Sequence, residues 1–385
     1  MRREILVSSN PQESWVALRE DNKLVEVMFD RPDQNRVLGD IFLGKVDAVL
    51  PGIQAAFVDI GTGKAGFLHV SDLNLGDEDE SSGKGRGRGP RRSRQLPPIQ
   101  DHIRKGQTLL VQVTKEAIST KGPRLTAQIS LPGRFLVYMP QASRVGVSRK
   151  IEGRDQRTKL RKMAQKILPD NSGGIIVRTV GEEVTAEKLE REFKRLHERW
   201  KEIDAAAKSK SAPAAVNREA TLISGVIRDL FTDKFEALRV DSQGAYDEIV
   251  DYVKNVDPDL LDRVHRYQGS SSLFDEFGVE EDIQKAFRRN VRLKSGGSLV
   301  IEPTEALVSI DVNTGRFTGK GKKDPEETIV KTNMEAAGEV AKQLRLRDVG
   351  GIIVVDFIDM ESQSNRDKVL RELRSHLSLD RARTK

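Results

Sequence analysis

The sequence predicts a multidomain α/β protein with a small all-β barrel near its N-terminal end. Three observations carry this. Strand-like alternation fills residues 1–75 and resumes near 108. A long charged helix pattern runs from Thr185. An apolar strand, an amphipathic helix and a second apolar strand follow one another from Ser298 to Asp356. Strand–helix–strand of that kind marks an α/β domain. The chain has 385 residues, and at ~100–200 residues each that corresponds to about two to four domains.

The elements follow in order. Residues 1–35 read as three strands, EILVSS, SWVALRE and KLVEVMFD, with the Asp-Asn-Lys between the last two as a hairpin turn. IFLGKVDAVL, QAAFVDI and KAGFLHV give three more strands, and TLLVQVTKE and RLTAQIS two further ones. Five short strands with one long polar insertion suit a five-stranded OB-type barrel. The insertion, residues 76–98, holds almost no apolar side chains. It cannot offset its ordering entropy and is expected to be a disordered loop. RFLVYMP and the buried strand GGIIVRTVG flank a basic segment, 148–168. Thr185 is a good N-cap for the charged helix that continues to about Ala207. Residues 224–288 mix strand and helix. SLVIEPTEALVSIDVN reads as two strands joined by a turn, and GRFTGKGKKDPEE as a polar loop. The helix ETIVKTNMEAAGEVAKQLRLR starts after Asp324 and Pro325 and stops before Gly350-Gly351. IIVVDFIDM reads as a buried strand, and a basic helix closes the chain.

Composition excludes several chemistries. Cysteine is absent, which removes disulfides, thiolate nucleophiles and Cys-bound zinc from these residues. The five histidines, His69, His102, His197, His265 and His376, show no helical metal-pair spacing. Any metal site must use oxygen ligands, which favours Mg²⁺ or Mn²⁺ over zinc. No apolar run reaches the ~20 residues that span a bilayer, and the N-terminus lacks the apolar stretch of a secretory signal. A cytoplasmic location is the expectation. The net charge is +6. Residues 84–105 hold eight Lys/Arg and one acid, so the basic charge is concentrated there. A concentrated basic patch points to nucleic acid better than net charge does.

Two acids stand out. Side chains alternate along a strand. In LVSIDVN, Asp311 and Asn313 therefore share a face, opposite Val308, Ile310 and Val312. In IIVVDFIDM, Asp356 lies in line with Ile352 and Val354. A carboxylate ending an apolar strand is costly without a partner. One such acid more often caps a helix or pairs with an arginine. Two, flanking a single crossover helix, could share one sheet edge. A divalent cation between them would offset their repulsion and activate water, while Asn313 orients a ligand or water. Asp359 falls on the face opposite Asp356, where it could cap the next helix.

Two aromatics also stand out. Phe57 and Phe67 each fall on the wetter face of adjacent strands, opposite Ala56, Val58, Leu68 and Val70. Aromatics so placed stack on unpaired bases at ~1–3 kcal/mol each, and Lys115 and Lys121 could meet phosphates. The blander alternative packs both rings under the long loop. GKGRGRG and GRFTGKGKK are glycine-rich but lack the context and spacing of a phosphate loop. Arg178 and Thr179 close the strand GGIIV and could bind a phosphate. Taken alone, they are better explained by a structural salt bridge.

Together, the segments GDIFLGKVDAVLPGIQAAFVDIGTGKAGFLHVSD, ISLPGRFLVYMP, SRKIEG, GIIVRT, SGGSLVIEPTEALVSIDVNTG, NMEAAGEVAKQLRLRDVGGIIVVDFIDM and DRAR resemble the ribonuclease E/G family. They occur in family order and span nearly the whole chain. The resemblance implies an RNase H-like domain (1–35 and 224–288) interrupted by an S1-type OB barrel (36–127) and a 5′-sensor region (128–223). A DNase I-like catalytic domain (289–385) follows. It implies that Asp311 and Asp356 bind Mg²⁺ and that Asn313 helps position the attacked phosphate. Phe57, Phe67, Lys115 and Lys121 match the family's RNA contacts. Gly133, Val137, Arg149, Arg178, Thr179 and Arg383 match its 5′-monophosphate pocket. The implied reaction is hydrolysis of single-stranded, often A/U-rich RNA to 5′-phosphate and 3′-hydroxyl ends, in RNA processing and mRNA decay.

Two departures matter. The family carries a Cys-Pro-x-Cys zinc link shortly after DRAR, whereas this sequence stops at Lys385. It is expected to be a fragment, so zinc is not assigned to these residues. A dimer or tetramer, and partners in an RNA-decay complex, are expected only of the full-length protein. The basic insertion also looks longer than the family's barrel loop and would add nonspecific RNA affinity. A non-catalytic RNA-binding or assembly protein is the main alternative, and a metal-dependent DNase the third reading.

Overall fold

The computed structural model describes residues 2–31, 36–74, 97–117, 121–219, 221–315, 325–380, 382 and 384. Most of the basic insertion 76–98, most of the polar loop after Asn313, and Arg383 lie outside the described residues. The chain divides into two compact units, Met1–Arg31 with Asp233–Glu248 and Asp262–Lys385, and Pro32–Thr232 with Ile249–Leu261.

The first three strands, β1 (Arg3–Ser9), β2 (Ser14–Glu20) and β3 (Lys23–Asp30), form an antiparallel meander. The turn between β2 and β3 places Asp21 and Asn22 at positive φ, 48° and 62°. Short polar side chains tolerate that conformation, which matches the twist of paired strands.

In the second unit, β4 (Ile41–Leu50), β5 (Ala55–Asp59), β6 (Gly66–His69), β7 (Thr108–Lys115) and β8 (Arg124–Thr126) pair in the order β4-β5-β6-β8-β7. A further β4–β7 pairing closes the ring, so this is a five-stranded barrel. Val46, Val58, Leu68, Val111 and Leu125 fill its interior, each worth ~1.5–3 kcal/mol on burial.

Next in the same unit come β9 (Leu131–Pro132), β10 (Leu136–Met139), β11 (Val145–Val147), α1 (Arg154–Ile167), β12 (Gly174–Val177) and α2 (Ala186–Ser209). The strands pair in the order β11-β12-β10-β9. Leu136, Tyr138, Ile175 and Val177 pack against Leu160, Leu189, Phe193 and Leu196 of the two helices. Thr185 caps α2, its side chain accepting from Lys188 N at 3.3 Å. β13 (Ala214–Asn217) adds to β4, and α3 (Leu222–Asp229) follows.

The first unit resumes with β14 (Ala237–Val240), which pairs parallel to β1. After α4 (Gln243–Val256), β15 (Val264–Arg266) completes a five-stranded sheet, β15-β14-β1-β2-β3. Leu273 of α5 (Leu273–Glu276) and Val279 of α6 (Val279–Ala286) pack with Leu6, Ala17 and Leu24. A second, four-stranded sheet comprises β16 (Asn290–Arg292), β17 (Ser298–Pro303), β18 (Leu307–Asn313) and β19 (Ile352–Asp356), in that order. Helix α7 (Pro325–Leu346) is the crossover from β18 to β19, and α8 (Gln363–Leu377) closes the unit. One face of this sheet carries Leu299, Ile301, Ile310 and Val312 against Ala336, Val340 and Leu344 of α7.

Two expectations need correction here. The strand 352–356 is not buried on both sides: it is an edge strand, with Ile352 64% and Val354 48% exposed. Only its Ile353 and Val355 side joins the core, because the helices cover a single face. Nor does Asp359 cap α8. The cap position is Ser362, and the backbone N–H groups of Glu361 and Ser362 are met by the Glu326 carboxylate.

Candidate active site

Strand β18 pairs parallel to β19, and the register sets Asp311 directly beside Asp356. Adjacent strands lie ~4.8 Å apart, so the two carboxylates are nearest neighbours. The pattern of β18 shows why they face outward: Ile310 and Val312 are buried, Asp311 and Asn313 exposed. The Asn313 amide Nδ2 donates to Asp311 Oδ2 at 2.6 Å. That bond fixes the amide and directs one carboxylate oxygen. The structure thus brings the three sequence-predicted residues onto one open sheet face.

Two supports escaped the sequence reading. Asn333 of α7 is fully buried. Its Nδ2 donates to the Ile358 carbonyl at 2.8 Å, and its Oδ1 accepts from Ile358 N at 3.1 Å. This two-way clamp anchors the chain just beyond Asp356. The signal was legible: Asn333 lies one and two turns before Ala337 and Val340, an amide on the apolar stripe of α7. The Glu335 carboxylate accepts from the backbone of Lys294 and Ser295, at 2.5 and 2.9 Å, and so pins the turn between β16 and β17. A Cβ on Gly297 in that turn would lie 2.6 Å from the Asn313 carbonyl oxygen, so glycine is required for the approach.

On the barrel, Phe57 pairs in register with Phe67, and the rings meet edge-on with centroids 6.1 Å apart. Both are half-buried on the outer face, opposite buried Ala56, Val58 and Leu68. The row continues through Arg124, which pairs with Phe67 and with Lys115. Lys115 therefore shares the aromatic row, and Lys121 is exposed just before β8. Arg124, unremarked in the sequence, bonds Asp72 at 2.8 Å.

Of the remaining candidates, all but Arg383, which lies outside the described residues, adjoin one end of the β9–β12 sheet. Leu136 and Val147 both pair with Val177, so Gly133, Arg149, Arg178 and Thr179 adjoin the same sheet end, with Val137 one position further in. Arg149 and Thr179 are exposed. Arg178 donates through Nη1 to the Gly133 carbonyl and to Asp229 Oδ1, each at 2.6 Å. The salt bridge expected of Arg178 taken alone is therefore present. Burial pushes the Asp229 carboxyl up, but bonds and charges from Arg228 and Arg178 outweigh this and hold it below its ordinary value. Beneath lies Glu192, 3% exposed, which accepts from the backbone N–H groups of Arg134, Phe135 and Leu136 at 2.5, 2.7 and 3.1 Å. Burial drives its carboxyl upward, and those N–H donors pull against it. A Cβ on Gly133 would meet the Glu192 side chain at 2.6 Å. Glu192 was also missed, though a charged residue beside Leu189 and Phe193 on the helix's apolar face marks it.

Among the described residues no three His, Cys, Asp or Glu side chains come close enough to form a metal cage, and no helix is long and apolar enough to cross a membrane. The model of the ribonuclease E/G family matches residues 130–385. Ribonuclease G of Salmonella typhimurium (strain SL1344) is 39% identical over 390 residues, covering all of this chain and 77% of that protein. Ribonuclease E of Haemophilus influenzae (strain Rd) is 38% identical over 384 residues, which is 40% of its length. Ribonuclease E of Synechocystis is 38% identical over 350 residues, 90% of this chain and 49% of that protein. With a family model over more than half its length and relatives aligned end to end, this chain belongs to the ribonuclease E/G family.

Proposed function

We propose that this endoribonuclease hydrolyses single-stranded, A/U-rich RNA in a divalent-cation-dependent reaction that leaves 5′-phosphate and 3′-hydroxyl ends. The observation that carries the reading is the in-register pair Asp311 and Asp356 on adjacent parallel strands. The donor set fits Mg²⁺ or Mn²⁺: two carboxylates and an amide, all oxygen ligands, on an exposed face. Mg²⁺ is commonly held by one or two carboxylates, with water and substrate phosphate completing its shell. Once bound, such an ion lowers the pKa of water and neutralises phosphate charge. Asp311 and Asp356 supply the anchoring charge. Asn313 holds Asp311 in one orientation, which leaves its own amide carbonyl for ligand. Asn333 acts through the backbone of Ile358 to keep Asp356 at its strand end.

In this reading Phe57 and Phe67 stack on unpaired bases, while Lys115 and Lys121 meet phosphates. The end of the β9–β12 sheet receives a 5′-monophosphate at Gly133, Val137, Arg149, Arg178 and Thr179; Arg383, which the family resemblance adds to this pocket, lies outside the described residues. Arg178 Nη1 is committed to Gly133 and Asp229, so a phosphate takes the other edge of the guanidinium. We assign residues 1–35 and 224–288 to an RNase H-like domain, 36–127 to the OB barrel, 128–223 to the sensor and 289–385 to a DNase I-like domain. The protein acts in the cytoplasm in RNA processing and mRNA decay, as a homo-oligomer in its full-length form.

The test uses a 5′-monophosphorylated, A/U-rich oligoribonucleotide and its DNA counterpart, with Mg²⁺ or EDTA. The expected result is cleavage of the RNA alone, dependent on Mg²⁺ and lost in Asp311→Asn and Asp356→Asn. RNA binding without cleavage by the full-length protein would favour the non-catalytic alternative, and equal cleavage of DNA a general nuclease.

A further inference from the structure

The four-stranded sheet extends the row that holds the carboxylates. Asn290 pairs with Val300, Val300 with Asp311, and Asp311 with Asp356. The adjoining row runs Arg292, Ser298, Asn313. Registered partners project on the same face of a sheet. Arg292, on the edge strand β16, therefore shares the face of Asp311 and Asn313, about two strand spacings (~10 Å) away.

The segment leading into β16 is Lys285-Ala-Phe-Arg-Arg-Asn-Val-Arg292. Its charges divide into two kinds. Lys285 is paired with Glu281 at 2.6 Å, and Arg289 with Glu302 at 2.5 Å. The guanidiniums of Arg288 and Arg292 have no ion pair among the described residues, and both side chains are exposed. Beside them Phe287, at the end of α6, is 79% exposed. Arg288, Asn290, Arg292, Ser298, Val300 and Lys342 help line a cleft of about 1040 Å³. An exposed ring flanked by guanidiniums that make no ion pair among the described residues suits a ligand with both unpaired bases and phosphates. A purely apolar protein partner would leave the arginines unmatched, and a free anion would not use the ring.

We propose that Phe287, Arg288 and Arg292 form a second RNA-binding subsite, on the β16 edge of the catalytic sheet. It takes nucleotides adjoining the scissile bond, one base stacking on Phe287 and neighbouring phosphates meeting Arg288 and Arg292. This rests on the nuclease reading of Asp311 and Asp356, and it is separate from the aromatic row of the barrel.

The experiment measures binding of a fluorescent single-stranded oligoribonucleotide in EDTA across a salt series, so that binding is read without cleavage. Phe287→Ala should weaken binding about tenfold and leave the salt slope unchanged. Arg288→Ala/Arg292→Ala should flatten the slope of log affinity against log salt by about 0.7 for each phosphate no longer neutralised. Phe287→Trp and Arg292→Lys should restore most of the stacking and most of the slope. These side chains are exposed, so thermal melting should match the unsubstituted protein and rule out misfolding. With Mg²⁺, the alanine variants should raise KM while kcat for saturating RNA changes little. Unchanged affinity and unchanged slope in folded alanine variants would overturn the subsite. That outcome leaves the nuclease reading intact, whereas normal binding with no Mg²⁺-dependent cleavage removes the nuclease reading and leaves this surface as an RNA-binding patch only.

Discussion

Asp311 and Asp356 stand side by side, exposed on an open sheet face, with the Asn313 amide bonded to Asp311. Glu192 and Arg178, in the β9–β12 layer, are instead tied down by the protein itself. Three backbone N–H groups occupy the Glu192 carboxylate, and Asp229 with the Gly133 carbonyl holds Arg178. The contrast separates two uses of charge. A buried charge must be matched internally, or its desolvation goes uncompensated. An exposed pair of like charges gains nothing for the fold and is matched only by something that arrives from outside. Charges of the first kind shape a surface; those of the second kind are left available to a ligand.

Substitutions can break that division. Asp311→Asn or Asp356→Asn should cost at least about a thousandfold in RNA cleavage, the equivalent of several kcal/mol in the barrier. The melting temperature should barely move. A large fall in Tm instead would mean the pair holds the sheet together. Glu192→Ala should do the reverse. Leaving buried N–H groups without an acceptor costs about 3 kcal/mol or more, read as a lower denaturation midpoint with unchanged m-value. An unaffected midpoint would show that water or a rearranged turn replaces the carboxylate.

Arg178→Ala sharpens the comparison, because under the proposed function Arg178 belongs to both classes. Removing one charge-assisted hydrogen bond to phosphate predicts about tenfold slower cutting of 5′-monophosphate RNA, with smaller effects on 5′-triphosphate and 5′-hydroxyl RNA. Equal slowing of all three would confine Arg178 to its structural pair with Asp229. The smallest effect concerns pH. The folded-state carboxyl of Asp229 is held below 3.8. As pH falls, the unfolded chain therefore takes up the proton first. The stabilisation is complete above 3.8 and is lost as pH drops through the lower folded value. Asp229→Asn should flatten the acid limb of the stability curve, and an unchanged limb would locate the acid sensitivity elsewhere.

Much of the site could be read from the chain because it depends on alternation along single strands. Period two sends Asp311 and Asn313 away from Ile310 and Val312, and Phe57 away from Ala56 and Val58, whatever the strands pair with. The absence of cysteine and the scattered histidines confine any metal to oxygen ligands. The type I′-like turn at Asp21 and Asn22 and the N-cap at Thr185 are equally local.

Register and coverage are not local. That Asp311 faces Asp356, and not a residue two places along, is set by how β18 and β19 slide against each other under α7. That β19 is exposed on one side follows from both helices lying on the other, which its uninterrupted apolar run conceals. Asn333, Glu192 and the row from Arg292 to Asn313 join positions far apart in sequence, and only packing decides which buried polar group meets which backbone.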